Sequence, residues 1–144
     1  MADGLQGLSI SFFSEVLALD QKLRARLSKD LPKGMELSHF AVLNHLAFVG
    51  AERSPAQLAA ALNLTKGAMT NTLTRLEAAG HIHIRPDWED ARKKQIVISP
   101  SGKAARDDAF SKITPTLTKV AETVGEDNIR DLLPVLRQLR LQLA

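Results

Sequence analysis

The chain has 144 residues, 44% of them hydrophobic and 24% charged, with a formal net charge of +3. That length and balance fit one globular domain with a core of its own and exclude an intrinsically disordered chain. Cysteine is absent, which excludes a disulfide framework, thiol catalysis and Cys-ligated metals.

No run of 18 apolar residues occurs, so no membrane-spanning helix is expected. Met1-Ala2-Asp3-Gly4 lacks the basic-then-apolar pattern of a secretory leader. A cytoplasmic location without membrane contact is the expectation. The positive excess is uneven: residues 1–53 are net neutral, residues 54–98 carry +2 and residues 99–144 carry +1. Arg92-Lys93-Lys94 is the one basic triplet. No repeat, low-complexity tract or linker divides the chain.

Residues 7–29 are predicted helical, since Phe12, Val16, Leu19, Leu23 and Leu27 recur on one face. Leu31-Pro32-Lys33-Gly34 ends that helix. Ser38 is the expected cap of a second helix running to Val49, with Gly50 as its stop. Ser54-Pro55-Ala56-Gln57 reads as a capping box with proline at the first helical position. The helix it opens is short, because Asn63-Leu64 and a second cap, Thr65, follow at once. Thr65 opens a helix from Lys66 to Ala79, closed by Gly80.

Two runs then alternate apolar and polar residues, Ile82 to Arg85 and Lys94 to Ser99. The polar stretch between them makes a β-hairpin with a charged tip. Asp87 and Glu89 read as solvated turn residues, and the pattern leaves open whether Trp88 packs under the hairpin or lies exposed. Ser99-Pro100 opens a long helix with an apolar stripe of Phe110, Ile113, Leu117, Val120 and Val124. Pro115 is expected to kink or divide it. Gly125 breaks the pattern, and a last helix from Glu126 to Gln142, with Pro134 inside it, carries a series of Leu and Ile side chains.

A short helix, a tight turn, a capped longer helix and a hairpin make a winged helix-turn-helix. The expected fold is mainly α with a small β-hairpin wing. The amphipathic flanks, 7–29 and 101–143, offer more apolar surface than one small core can cover. A symmetric dimer is the simplest way to cover it.

The helix from Lys66 sorts by angle into two faces. Met69, Leu73, Leu76 and Gly80 lie on the core side, while Gly67, Thr70, Asn71, Thr74 and Ala78 lie opposite. This outer face is small, polar and uncharged, with Lys66 and Arg75 at its flanks. Small residues allow close approach to a groove, and Asn71 can pair with the donor–acceptor edge of adenine. The free amides after Thr65 suit a phosphate. These groups suit contact with double-stranded DNA. Arg92, Lys93 and Lys94 join them as a basic arm suited to the minor groove or backbone. Asp90 stands among these cations, and its expected part is to order the wing by pairing with Arg75 or Arg92.

From Ser54 to Gly102 the sequence resembles the MarR family of winged-helix regulators. The residues that carry this are LAAALNLTKGAMTNTLTRLEAAGHIHIR, the wing DWEDARKKQIVIS and the following SPSG. Within them stand Leu76-Glu77-Ala78-Ala79-Gly80, Asp90-Ala91-Arg92 and Ile98-Ser99-Pro100-Ser101-Gly102. The flanking helices match in order, so the resemblance extends over residues 1–144 as one domain. Residues 37–99 are the winged helix-turn-helix, and 7–29 and 101–143 the dimerisation helices. The resemblance implies a homodimer with intertwined terminal helices and a short pseudo-palindromic operator. Carried over by position, it implies DNA contacts from Thr65, Lys66, Gly67, Thr70, Asn71 and Arg75, with Arg92 as the wing arginine and Asp90 its ordering partner. It also implies a repressor released by a small aromatic or phenolic ligand. Three positions depart from the family pattern: Asn71 and Ala91 where Arg is common, and Ala79 where Lys or Arg is common.

Other chemistry finds little support. His81 and His83 alternate on a strand and His39 and His45 are six apart, a poor set for a metal. No phosphate loop or nucleophile elbow occurs, so neither enzyme nor cofactor is expected. Phe13, His39 and Phe110, with Phe12 and Val16, are candidate ligand contacts by helix position. The alternative reading is a winged-helix module that binds protein without specific DNA binding, which the uncharged outer face would also suit.

Overall fold

The computed structural model describes residues 4–144; Met1-Ala2-Asp3, read above for a leader, lies outside the described residues. Six helices and one hairpin follow in order: α1 (Gly4–Asp30), α2 (Leu37–Val49), α3 (Pro55–Leu62), α4 (Lys66–Ala78), β1 (Ile82–Pro86), β2 (Lys94–Ile98), α5 (Pro100–Val124) and α6 (Glu126–Gln142). The fold is mainly α with a β-hairpin wing, as the patterning predicts. No helix among the described residues is long and apolar enough to cross a membrane.

The core lies where α2, α3, α4 and the hairpin meet. Val42, Leu43, Leu46, Leu58, Met69, Leu73, Leu76, Ile82 and Ile96 are buried together there. The predicted inner face of α4 is thus the real one, with Thr72 added. Thr72 is buried and its hydroxyl donates to Ser38 Oγ at 3.4 Å. A second cluster joins Leu31 and Phe40 to Ala109 and Ile113 and so seats α5 on the first lobe.

The short-range signals explain most element boundaries. Ser54 Oγ accepts the Gln57 N–H at 3.1 Å, and Gln57 Oε1 accepts the Ser54 N–H at 2.9 Å, which closes the predicted capping box. Thr65 Oγ1 caps α4 by accepting the Ala68 N–H at 3.1 Å. Asn63 adopts φ 52° and ends α3 in the left-handed conformation that a short polar side chain tolerates. β1 and β2 pair antiparallel with Ile84 opposite Ile96, and Arg53 adds a bridge to Ile96 on the other edge.

Several details differ from expectation. Glu36 caps α2 in place of Ser38, which lies inside the helix. Glu36 pairs with His39 three residues on, a capping box built from residue types that rank low as caps. α4 ends at Ala78, with Ala79 as its C-cap. Pro115 does not divide α5, which runs through it to Val124, and α6 likewise continues through Pro134. α1 is longer than predicted at both ends, and none of its described residues is buried.

Candidate nucleic-acid interface

α4 presents its outer face to solvent. Lys66, Gly67, Thr70, Asn71, Thr74, Arg75 and Ala78 are all exposed, as is the cap Thr65. The hydroxyl protons of Thr70 and Thr74 are already engaged: they donate to the carbonyls of Lys66 at 2.9 Å and Thr70 at 2.8 Å. These hydroxyls therefore meet a partner as acceptors. Among the described residues nothing lies within 4 Å of the Cβ position of Gly67. The α4 surface is consequently low-lying and sterically open at its N-terminal end.

The wing comes to the same side. Ser54, Pro55, Lys66, Met69 and Thr70 line one groove together with Arg92, Lys93 and Lys94. The structure thus gathers the basic triplet, the start of α3 and the start of α4 around one concave surface. Arg75 stands apart from that groove. Its guanidinium lies 3.6 Å from the Glu36 carboxylate at the entry to α2.

Of the two partners open to Asp90, the structure selects Arg92. Arg92 Nε donates to Asp90 Oδ1 at 3.1 Å and Nη2 to Oδ2 at 3.2 Å, while the Arg92 backbone N–H also reaches Oδ1 at 3.0 Å. These bonds hold the Asp90 carboxyl below the usual carboxylate range. The Arg92 side chain remains 91% exposed, so its guanidinium is oriented without being covered.

Asp87 is not the solvated turn residue the pattern suggests. Its carboxylate accepts the backbone N–H groups of Glu89 at 2.8 Å and Asp90 at 3.2 Å, and the Gln95 amide at 2.8 Å. These bonds, the one from Glu89 foremost, keep its carboxyl below the ordinary range. Glu89 itself is exposed. Trp88 is 86% exposed, and the Arg85 guanidinium stacks over its ring at 4.7 Å. Arg85 also pairs with the Glu52 carboxylate, which ties the base of the wing to the turn before α3.

The candidate ligand contacts do not converge. Phe13 packs edge-on to Phe12 on α1, and Phe110 packs edge-on to Phe40. His39 is buried and lines a separate cavity of about 350 Å3 with Met35, Arg75, Leu76, His81 and Asp108. Its Nδ1 accepts the Glu36 backbone N–H at 3.1 Å, and its buried Nε2 has no partner among the described residues. An acceptor at Nδ1 places the neutral ring's proton on Nε2. Burial pushes the His39 pKa down, against the pull of Glu36 and with the help of Arg75 and His81. His45 and His81 are half-buried and His83 exposed. No group of three or more His, Asp or Glu side chains among the described residues could hold a metal.

A capped helix-turn-helix followed by a basic β-hairpin defines a winged helix-turn-helix fold. Residues 33–93 match the sequence model of the MarR family. That stretch, less than half of the chain, is similar to the family, and the chain as a whole has the fold of MarR-family transcriptional regulators. Solved structures agree over nearly the whole length. BldR, a transcriptional regulator from Sulfolobus solfataricus, aligns at TM-score 0.78 and 20% identity over 98% of this chain and 97% of that one. A mutant MarR from E. coli, solved with operator DNA, aligns at 0.78 and 22% identity over 94% and 97%. A MarR-family regulator from Rhodococcus sp. RHA1 aligns at 0.82 and 19% identity over 92% and 94%. At these identities the likeness is one of fold. No curated protein sequence matches the chain.

Proposed function

We propose that this chain is a homodimeric, DNA-binding transcription regulator of the cytoplasm, a repressor that a small aromatic or phenolic ligand releases from a pseudo-palindromic operator. The observation that carries the DNA reading is the shared groove of Lys66, Thr70, Arg92, Lys93 and Lys94 beside an uncharged, open helix face. Thr65, Lys66, Gly67, Thr70, Asn71 and Arg75 enter the major groove in this reading. The wing follows the backbone or minor groove, where exposed cations add affinity whatever the sequence.

The dimer reading rests on uncovered apolar surface. Leu5, Leu8, Phe12, Leu19 and Leu23 of α1 are exposed, as are Leu132, Leu133, Val135 and Leu136 of α6. Patches of that extent mark an interface. Both helices lie outside the winged core, so a second copy can cover them and leave the DNA face free. The ligand reading rests on the His39 cavity. A phenolate or carboxylate there would face the Arg75 guanidinium.

Selection from a random duplex library at physiological salt tests the whole reading. Enrichment of a pseudo-palindrome with half-sites about 34–36 Å apart is expected for a two-fold dimer. Salt-labile binding without enrichment would overturn it in favour of a protein-binding module.

A further inference from the structure

We propose that Asp87 is the positioning residue of the wing: through Asp90 it sets the direction in which Arg92 meets DNA. The proposal rests on the DNA-binding reading above.

The loop from Asp87 to Lys93 is short, polar and largely exposed. Such a segment loses order readily unless something fixes its backbone. One carboxylate does this from three sides. Oδ1 of Asp87 takes the N–H groups of Glu89 and Asp90, which bends the chain into a turn closed by its first side chain. Oδ2 takes the Gln95 amide and so anchors that turn to β2. The Asp87 N–H donates to the Lys93 carbonyl at 3.0 Å, and the Lys93 N–H to the Asp90 carbonyl at 2.9 Å, which closes the tip.

The Asp90 backbone is therefore held through its N–H by the Asp87 carboxylate. The Asp90 carboxylate then grips Arg92 at three points, two of them on the guanidinium plane. A forked contact of this kind fixes a plane as well as a distance. The relay runs from Gln95 to Asp87, from Asp87 to Asp90, and from Asp90 to Arg92. Only its last member need touch DNA.

A simple charge argument gives the opposite sign from positioning. Removing a carboxylate near phosphates lessens repulsion, so Asp87→Asn should tighten binding if only its charge matters. If Asp87 positions Arg92, the same change weakens binding. The amide introduced by Asp87→Asn keeps an oxygen for the two N–H groups, and Gln95 can turn its own oxygen to the new donor, but each bond loses the strength that the carboxylate's charge gave it. Gln95→Glu added to Asp87→Asn restores a charge-assisted bond to β2 with its polarity reversed and leaves the net charge unchanged.

The experiment measures affinity for duplex DNA against salt for the wild type, Asp87→Asn, Arg92→Ala, the two combined, and the exchange variant carrying Asp87→Asn with Gln95→Glu. Trp88, the one tryptophan of the chain, reports loop order by its fluorescence anisotropy without DNA. Asp87→Asn is expected to lower affinity about 3- to 10-fold, to flatten the salt slope as Arg92→Ala does, and to lower the anisotropy. It should add nothing in an Arg92→Ala background, and the exchange variant should recover part of the loss. Tighter or unchanged binding by Asp87→Asn overturns the proposal, as does an additive loss with Arg92→Ala. A wild-type chain that binds no duplex overturns the DNA reading and this role with it.

Discussion

Nδ1 of His39 accepts the backbone N–H of Glu36 across 3.1 Å, so the imidazole must be neutral for α2 to keep its cap. The ring is buried at the entry to α2, among Glu36, Arg75, His81 and Asp108. Protonation would replace the acceptor at Nδ1 by a donor facing another donor.

A pH dependence follows. Desolvation holds the His39 pKa in the folded chain below 6.5, its ordinary value. The unfolded chain then binds the proton more readily than the folded one. The stabilisation is complete above pH 6.5 and is lost as pH falls below it toward the depressed folded value. Thermal midpoints of the wild type should drop across that window. His39→Gln keeps an acceptor for the Glu36 N–H and cannot titrate, so its midpoints should stay flatter there. His39→Ala should lose about 1 kcal/mol at neutral pH through the cap alone. Parallel pH profiles for wild type and His39→Gln would rule out this role.

Two glycines make opposite predictions. Gly102 lies in the first turn of α5, where a Cβ would collide with the His81 carbonyl oxygen and come within 2.9 Å of Ile98 Cγ1. That contact seats α5 against the hairpin, beside the Ser99 hydroxyl that donates to the Gly80 carbonyl at 2.6 Å. Gly102→Ala should cost about 1–3 kcal/mol of stability by overpacking. Gly67 is exposed in α4 with open space around it, so Gly67→Ala should raise stability by up to about 1 kcal/mol. It should also weaken DNA binding, because the methyl group stands on the face that must approach the groove. Urea titration and duplex affinity together check both signs.

How far the sequence foretells this arrangement depends on range. The caps at Ser54, Thr65 and Ser99 act within three residues, and the pattern names all of them correctly. The start of α2 escapes, because Glu36 and His39 are unusual capping partners and Ser38 is the more familiar type. Asp87 escapes because the partner that distinguishes it from a solvated turn residue, Gln95, stands eight positions away across the hairpin. Trp88 is undecided by periodicity, since its stacking on Arg85 is a tertiary contact. The apolar stripes of α1 and α6 are legible, yet their packing depends on whatever covers them. Phe13, His39 and Phe110 are grouped by helix position but fall in three different surroundings.

The α4 face and the wing should separate specificity from affinity. Asn71 is exposed at the middle of the outer face and makes no side-chain hydrogen bond to the described residues that would compete with a base edge. Asn71→Ala should relax base preference at one position of each half-site, costing about 1–3 kcal/mol of discrimination with a smaller loss of total binding. Arg92→Ala should weaken binding to all sequences alike and lower the salt slope by about one unit. Sequencing of selected duplexes and salt titrations measure the two effects. Equal slopes for wild type and Arg92→Ala would remove the wing from the interface.

The exposed stripe of α6 provides the last prediction. Leu132, Leu133, Val135 and Leu136 are each more than a third exposed, in a helix that lends no buried residue to the described core. A chain folding alone would gain little from placing these side chains in register, whereas a second copy would bury them. Light scattering should therefore give twice the chain mass of 15.7 kDa. Leu136→Glu places a charge in that stripe, and an unpaired charge at a buried interface is costly. The variant should run at the mass of one chain and keep the cooperative melting of the winged lobe, whose core it does not touch. It should bind a single half-site far more weakly than the wild type binds the full palindrome, since the second half-site no longer acts at high effective concentration. A wild-type mass of one chain would assign the stripe to some other partner.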